Sequence, residues 1–246
     1  MRSSPAILID ATDIHRPSGV RTAVYELLRQ VVQQAPAWRF VMMLSAKEPG
    51  LCYANVRQIV IPVRWRPLER ICVQAIVAAA ALTRSVDLVH FTRSLGGVAW
   101  PVPSVLTIFD LTTVIHPELH GRSARLYWER IMPLHLRSAT TVIAISQNVR
   151  EDLVNYYGTA REKIHVIYCA PQSLFDAPVD PMAVKSLQRE LGLPQTYLLF
   201  VGMLARKKNL ATLISAVALL KDRGIEAPLV IVGRRYSQSD DTAVLD

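Results

Sequence analysis

"LFVGMLARKKNLATLISAVALL" (199–220) joins a short apolar run to a helical pattern through a glycine, three consecutive cations and an asparagine. The run ending at Gly202 is short and near-continuously apolar, the pattern of a strand buried on both faces. Leu210, Leu213, Ile214, Val217 and Leu220 then recur at spacings that line one face of a helix. Asn209 is a favoured helix N-cap, which leaves Arg206, Lys207 and Lys208 in the turn between strand and helix. A helix N-terminus already presents unpaired N–H groups and about half a positive charge, so further cations there are unfavourable unless an anion is expected. The stretch therefore predicts a strand–turn–helix unit built to receive an anion. The alternative is a solvated basic turn, since charge runs are most often surface. A Walker phosphate loop is excluded, because Lys207 stands where its second glycine is needed.

The same organisation recurs upstream. "AILID" (6–10), "FVMML" (40–44), "QIVIPV" (58–63), "DLVHF" (87–91), "SVLTIFD" (104–110), "TTVIAIS" (140–146) and "KIHVIY" (163–168) are short branched-residue runs, most of them continuously apolar. That suits a parallel sheet better than the alternation of a half-exposed antiparallel one. Helical patterns lie between several of them, such as Val20, Val24, Leu27, Leu28 and Val31 after the first. Strand, helix, strand is the repeat of an α/β fold, whose ligands bind beyond the carboxyl ends of the strands. Regular patterning lapses and proline recurs around 169–181. We place a domain over 1–172, a linker over 173–195 and the start of a second domain over 196–246. That second part offers "YLLFVG" and "LVIVG" (229–233) as strands around one helix before a polar end, too little to bury a core of its own.

Composition narrows the function classes. Of 246 residues, 51% are hydrophobic and 20% charged, which excludes a disordered or low-complexity chain. A formal charge of +8 points to an anionic partner, whether nucleic acid, membrane surface or phosphorylated small molecule. Aromatic residues are only 7% and no basic stripe interleaves with them, so we expect no nucleic acid. Cys52, Cys72 and Cys169 are odd in number and widely separated, the pattern of buried free thiols without a disulfide. "MRSSPAILIDATD" meets Asp10 before any apolar run reaches signal-peptide length, and "ICVQAIVAAAAL" (71–82) is too short to span a bilayer, so a cytoplasmic protein is expected. "GRSAR" (121–125) lacks the second glycine of a nucleophile elbow, and no G-x-G-x-x-G occurs. His116 and His120 in "HPELH" have a helical spacing for metal, but Pro117 disfavours helical geometry at His116.

"FVGMLARKKNLATLISAVALL…PLVIVG" resembles the opening of the C-terminal domain in retaining GT-B glycosyltransferases of the glycosyltransferase family 4 type, whose signature there is roughly V-G-x-L-x-P-R-K-N-L. "SGVRTAVYELLRQV" resembles that family's glycine-containing first loop and helix, and "LTIFDLTTVIHPE" its "T-x-H-D-L…P" strand end. "VIAISQNVREDLVNYYG…KIHVIYCAP" resembles the segment that closes its N-terminal domain, so the likeness runs from about Ile7 to Gly233. The implied architecture is a Rossmann-like acceptor-side domain followed by an incomplete Rossmann-like donor-binding domain. Two Glu separated by seven residues, the family's sugar- and ribose-reading pair, are absent, and a full member is expected to continue for about a hundred residues, judged by ordinary domain size.

The resemblance implies roles residue by residue. Lys208 matches the signature Lys and Lys207 stands at the signature Arg, two positions that grip the diphosphate of a nucleotide-sugar donor, while Arg206 replaces the usual Pro. Cations fixed there would stabilise the charge growing on the leaving phosphate without a metal, and no cofactor is implied. Lys207 keeps the charge of the signature Arg but loses its two-pronged grip. Gly202 closes the strand before them, and Gly19 matches a glycine that lets the backbone approach donor phosphate or acceptor; by itself it reads as a loop glycine before a helix. Asp110 matches the Asp of the "H-D" pair but follows Phe109 where the family has His, and by itself reads as a cap on the next turn. The implied activity is transfer of a sugar to a glycan or lipid-linked acceptor in cell-surface polysaccharide biosynthesis; the alternative is an inert fragment that only binds. "VRWRPLER" (63–70) with the apolar run after it offers a peripheral seat on the inner face of the membrane, against the plainer reading of a helix with one face in the core.

Overall fold

In the computed structural model, which describes residues 4–16, 18–63, 65–97 and 101–234, the apolar runs of the first two thirds all become strands of one sheet. The chain passes through β1 (Ala6–Asp10), α1 (Gly19–Gln34), β2 (Arg39–Leu44), β3 (Val56–Val60), α2 (Arg66–Leu82), β4 (Leu88–Phe91), β5 (Ser104–Ile108), α3 (Thr112–Ile115), α4 (Arg122–Leu126), α5 (Met132–Ser138), β6 (Thr141–Ala144), α6 (Gln147–Tyr157) and β7 (Ile164–Val166). The strand order is β3-β2-β1-β4-β5-β6-β7, and every neighbouring pair is parallel. A second compact unit begins at Ser173. It contains α7 (Pro181–Glu190), β8 (Leu198–Val201), α8 (Leu210–Asp222) and β9 (Leu229–Val232), with β8 and β9 paired in parallel.

Side chains alternate across the first sheet, and each face buries a separate apolar cluster. Ile9 of β1 and Phe40, Met42 and Leu44 of β2 pack with Val24, Leu28 and Val32 of α1. Ala6 and Leu8 face the other way, toward Val73 and Val77 of α2, Met132 and Leu136 of α5, and Val149 and Leu153 of α6. Covering both faces is what requires the strands to be apolar throughout. Along α2, Glu69, Val73, Val77 and Ala81 form the buried stripe, so one face of this helix lies in the core.

Several local expectations change. The stripe of α1 runs through Val32, while Leu27 is 37% exposed. β3 covers 56–60, ahead of Pro62, which has no N–H to extend a ladder. The stretch 173–195 carries α7, started by Asp180, whose side chain accepts the Met182 N–H at 2.9 Å. The three cysteines are free but not buried: Cys52 and Cys169 are exposed and Cys72 intermediate. The polar end 235–246, like Arg64 in the basic stretch before α2, lies outside the described residues. In the second unit only Ala205 and Leu210 among the described residues are buried, and Leu198, Leu199 and Val201 of β8 are 42%, 55% and 70% exposed.

Leu106 at the centre of β5 is fully enclosed in the larger cluster. Leu106→Ala should therefore cost about 2–5 kcal/mol in urea unfolding, the range for a Leu-sized core cavity. A loss below about 1 kcal/mol would contradict this packing.

Candidate functional site

The sheet order reverses at one place. From β1 the chain goes out through α1 to β2 and β3 on one side, then returns through α2 to β4 on the other side of β1. In an open parallel sheet the crevice where ligands usually bind lies beyond the carboxyl ends of the strands at such a reversal, which here means the loops after β1 and β4. At that point the sequence places charge where burial would otherwise exclude it.

Asp10, the last residue of β1, is fully buried. Its Oδ2 accepts from Arg70 Nη1 at 2.6 Å, and its Oδ1 accepts from the Thr12 hydroxyl at 2.8 Å. Arg70 Nη2 also donates to Thr12 Oγ1 at 2.6 Å and to Glu69 Oε1 at 2.9 Å. Glu69, in the first turn of α2 and 1% exposed, meets Arg16 at 3.4 Å and Arg93 at 3.4 Å. Both of these arginines also pair with Asp13, Arg16 at 3.2 Å and Arg93 through Oδ2. Asp13, Arg16, Glu69 and Arg93 thus close a ring in which each guanidinium bridges the same two carboxylates. Arg70 ties the ring to Asp10. Buried carboxylates persist only when paired and hydrogen-bonded, as Asp10 and Glu69 are.

Burial by itself would raise the Asp10 carboxyl, but Arg70 and Arg93, with the bonds from Arg70 and Thr12, outweigh it and hold it below its usual value. His90 on β4 is pushed down to about 4 by burial, with Nε2 2.9 Å from the Thr107 hydroxyl oxygen. Three cations balance three anions, so the crevice floor is close to neutral as a whole. Asp13 and Arg16 are its more open members, with side chains 27% and 36% exposed.

None of these residues was singled out from sequence except as strand ends and loops. The signal was present as charge following apolar runs, in "DATDIHR" and "FTR", but β1 and β4 become neighbours only through the topology.

The residues singled out from sequence fall in other places. Gly19 opens α1 behind its N-cap Ser18, whose Oγ accepts the Arg21 N–H at 3.0 Å. A Cβ on Gly19 would meet nothing within 4 Å, so the helix start lies against open space. Asp110 is exposed at the end of β5, where Oδ1 accepts the Thr112 N–H at 3.1 Å and caps the turn into α3. Phe109 packs against the apolar cluster under α1. His116 pairs with Glu118 at 3.3 Å, and Pro117 starts a separate short turn. Among the described residues no three His, Cys, Asp or Glu side chains lie together as a metal site.

In the second unit Gly202 gives its N–H to the Val232 carbonyl at 2.9 Å, and its own carbonyl lies where a Cβ on Gly233 would clash, at 1.7 Å. Arg206, Lys207 and Lys208 form one tight exposed turn before α8. Among the described residues no acid pairs with them. Asn209 stands at the cap position but in the left-handed region (φ 52°), which asparagine tolerates. Its side chain accepts from the Thr212 hydroxyl at 2.9 Å instead of a helix N–H, so the start of α8 is not capped by Asn209 as its residue type suggested.

Glu69→Ala removes the shared partner of three buried or half-buried guanidiniums and should destabilise the chain by about 3–5 kcal/mol in denaturant melts. A cost below about 1 kcal/mol would show that the ring does not hold these loops. Because His90 is harder to protonate in the folded chain, the unfolded chain binds more protons between about pH 6.5 and 4, and stability should fall as pH drops through that window. His90→Gln should flatten that slope in thermal melts; an unchanged slope would remove His90 as its source.

The sequence pattern described as Glycosyltransferase Family 4 matches residues 17–170, more than half of the chain. The O-antigen chain mannosyltransferase B of Escherichia coli is 24% identical over 140 residues, which span 56% of this chain and 36% of that protein. Among solved structures, the Anabaena HepE protein in complex with UDP-glucose superposes with a TM-score of 0.58 at 17% identity, covering 94% of this chain and 69% of its own. A glycosyltransferase from Rickettsia africae superposes at 0.55 with 14% identity, covering 99% of this chain and 71% of its own. WaaG, a glycosyltransferase involved in lipopolysaccharide biosynthesis, superposes at 0.55 with 12% identity, covering 97% of this chain and 72% of its own. The α/β fold is of the GT-B type, and the chain belongs to glycosyltransferase family 4.

Proposed function

We propose that this chain carries out, as a retaining glycosyltransferase, the transfer of a sugar from a nucleotide-diphosphate donor to a glycan or lipid-linked acceptor in cell-surface polysaccharide biosynthesis. The observation that carries the reading is the Arg206–Lys208 turn: three adjacent cations, unpaired among the described residues, held ahead of α8 in a chain of this family. Support for the donor class comes from the UDP-glucose bound by HepE, and for the acceptor class from the names of the E. coli and WaaG relatives.

The chemistry assigns parts to the chain's own residues. As the bond from the anomeric carbon to the diphosphate oxygen breaks, the electron pair stays with the diphosphate, and Lys207 and Lys208 meet that charge with Arg206 beside them. No cofactor and no metal is invoked. Gly202 shapes the backbone turn; its N–H is already given to Val232. On the acceptor side, the space at Gly19 admits a ligand close to the start of α1, and exposed Asp110 offers a carboxylate oxygen to an acceptor hydroxyl. The acceptor hydroxyl oxygen takes the place of the diphosphate on the same face of the sugar, and its proton passes to the departing diphosphate oxygen.

A lipid-linked acceptor places the protein at the cytoplasmic face of a membrane. No described helix is long and apolar enough to cross one. Trp65, at the cap position before α2, and Leu68 and Ile71, on the helix face away from its buried stripe, are 66%, 41% and 62% exposed, an apolar edge suited to an interface. The double variant Trp65→Ala, Ile71→Asp should lose most co-sedimentation with anionic vesicles at low salt; equal binding would dismiss the membrane seat.

A second reading, binding without transfer, is favoured by the exposed strand β8 of the second unit. Radiolabelled transfer from a panel of nucleotide sugars to a lipid and glycan extract separates the two. Turnover should appear, and Lys208→Ala should lower kcat/KM by about 2–5 kcal/mol of transition-state stabilisation. Unchanged turnover in that variant would refute its role, and no turnover with retained nucleotide-sugar binding would favour the second reading.

A further inference from the structure

The loop after β4, Thr92 to Gly97, carries Arg93 into the crevice, and side chains of three helical segments hold it there. Thr92 Oγ1 donates to the Asp10 carbonyl at 2.6 Å. The Gly96 N–H donates to His135 Nδ1 at 3.1 Å, while the Gly96 carbonyl accepts from Gln74 Nε2 of α2 at 3.1 Å. Ser138 Oγ donates to the Gly97 carbonyl at 2.7 Å. The Tyr127 hydroxyl lies 3.2 Å from the Ser94 carbonyl and 2.9 Å from His135 Nδ1. A loop beside a crevice has no strand partners for its polar backbone groups, and these side chains take that place.

His135 is the centre of the clamp. It is buried, and since an amide N–H only donates, Nδ1 is its unprotonated nitrogen. Gly96 packs so close that a Cβ there would stand 3.0 Å from His135 Cβ. Tyr127 and His135 are eight residues apart, which in a straight α-helix leaves them about 80° apart around the axis. A π-helical turn, Tyr127–Ile131, lies between α4 and α5 and takes up that difference. The two rings meet edge to face at 5.8 Å between centroids.

We propose that His135 is a positioning residue: through the Gly96 amide it fixes the Thr92–Gly97 loop and so keeps Arg93 seated against Asp13 and Glu69. Its consequence for sugar transfer rests on the glycosyltransferase reading above; its hold on the loop does not. The ligand-facing work belongs to the crevice, and His135 acts on it only through Arg93.

The test compares His135→Leu with His135→Asn in the full chain. Asparagine puts an amide oxygen where Nδ1 stood, whereas leucine fills the space without an acceptor. By amide hydrogen exchange, the Leu variant should open the 92–97 segment about tenfold faster than wild type, the size of one lost hydrogen bond, with β1 and α6 unchanged and the Asn variant close to wild type. In the transfer assay the half-saturating amount of acceptor extract should rise by about the same factor in the Leu variant and recover in the Asn variant. Equal 92–97 exchange in all three proteins overturns the clamp. Faster exchange with unchanged acceptor saturation overturns the positioning role and leaves the transfer reading intact. A wild-type chain that transfers nothing removes the transfer reading and leaves the clamp to the exchange result. Should the Leu variant not fold, Gln74→Leu loosens Gly96 from its other side, and the same exchange outcomes apply.

Discussion

A carboxylate sealed in a protein interior has to be neutralised where it sits, and at Glu69 three guanidinium groups do so. Arg16 comes from the loop after β1, Arg93 from the loop after β4, and Arg70 from the same helix turn as Glu69 itself. Because those three segments are brought together only where the strand order reverses, this one cluster of charges ties the loops after β1 and β4 to the start of α2. Ring closure through Asp13 makes the arrangement cooperative, since each guanidinium lost leaves two carboxylates short of a partner.

The charge balance has a chemical consequence. Arg16, Arg70 and Arg93 face Asp10, Asp13 and Glu69, so the first unit offers a polar floor without a net field, suited to hydroxyl groups. The Arg206–Lys208 turn has no such counter-charge among the described residues and is suited to phosphate. The two units therefore differ in local charge, balanced in the first and positive at the turn of the second. Neutral sugar and charged diphosphate are the two halves of a glycosyl transfer.

The strands were legible because burial on both sheet faces demands continuous apolar runs, and seven such runs became seven parallel strands. The turn before α8 was legible because Gly202, the cations and the apolar helix face are contiguous in sequence. Asn209 was read correctly in place and wrongly in conformation: residue type names a cap, but the backbone settled in the left-handed region and sent its side chain to Thr212. The ion-pair ring was not legible. Its members lie as far apart as Asp13 and Arg93, and no local pattern distinguishes a buried arginine from a solvated one until the strand order is known. His135 was hidden for the same reason, its partner Gly96 being 39 residues away and its orientation set by a π-helical turn that no periodicity announces.

The central claim is that the cations ahead of α8 receive the diphosphate of an activated sugar. Photoaffinity labelling of the chain with a photoreactive UDP-sugar, followed by peptide mapping, addresses it most directly. The account predicts a cross-link within 202–210 that unlabelled UDP-glucose suppresses. A label that spares this segment, or that excess nucleotide sugar does not displace, contradicts it.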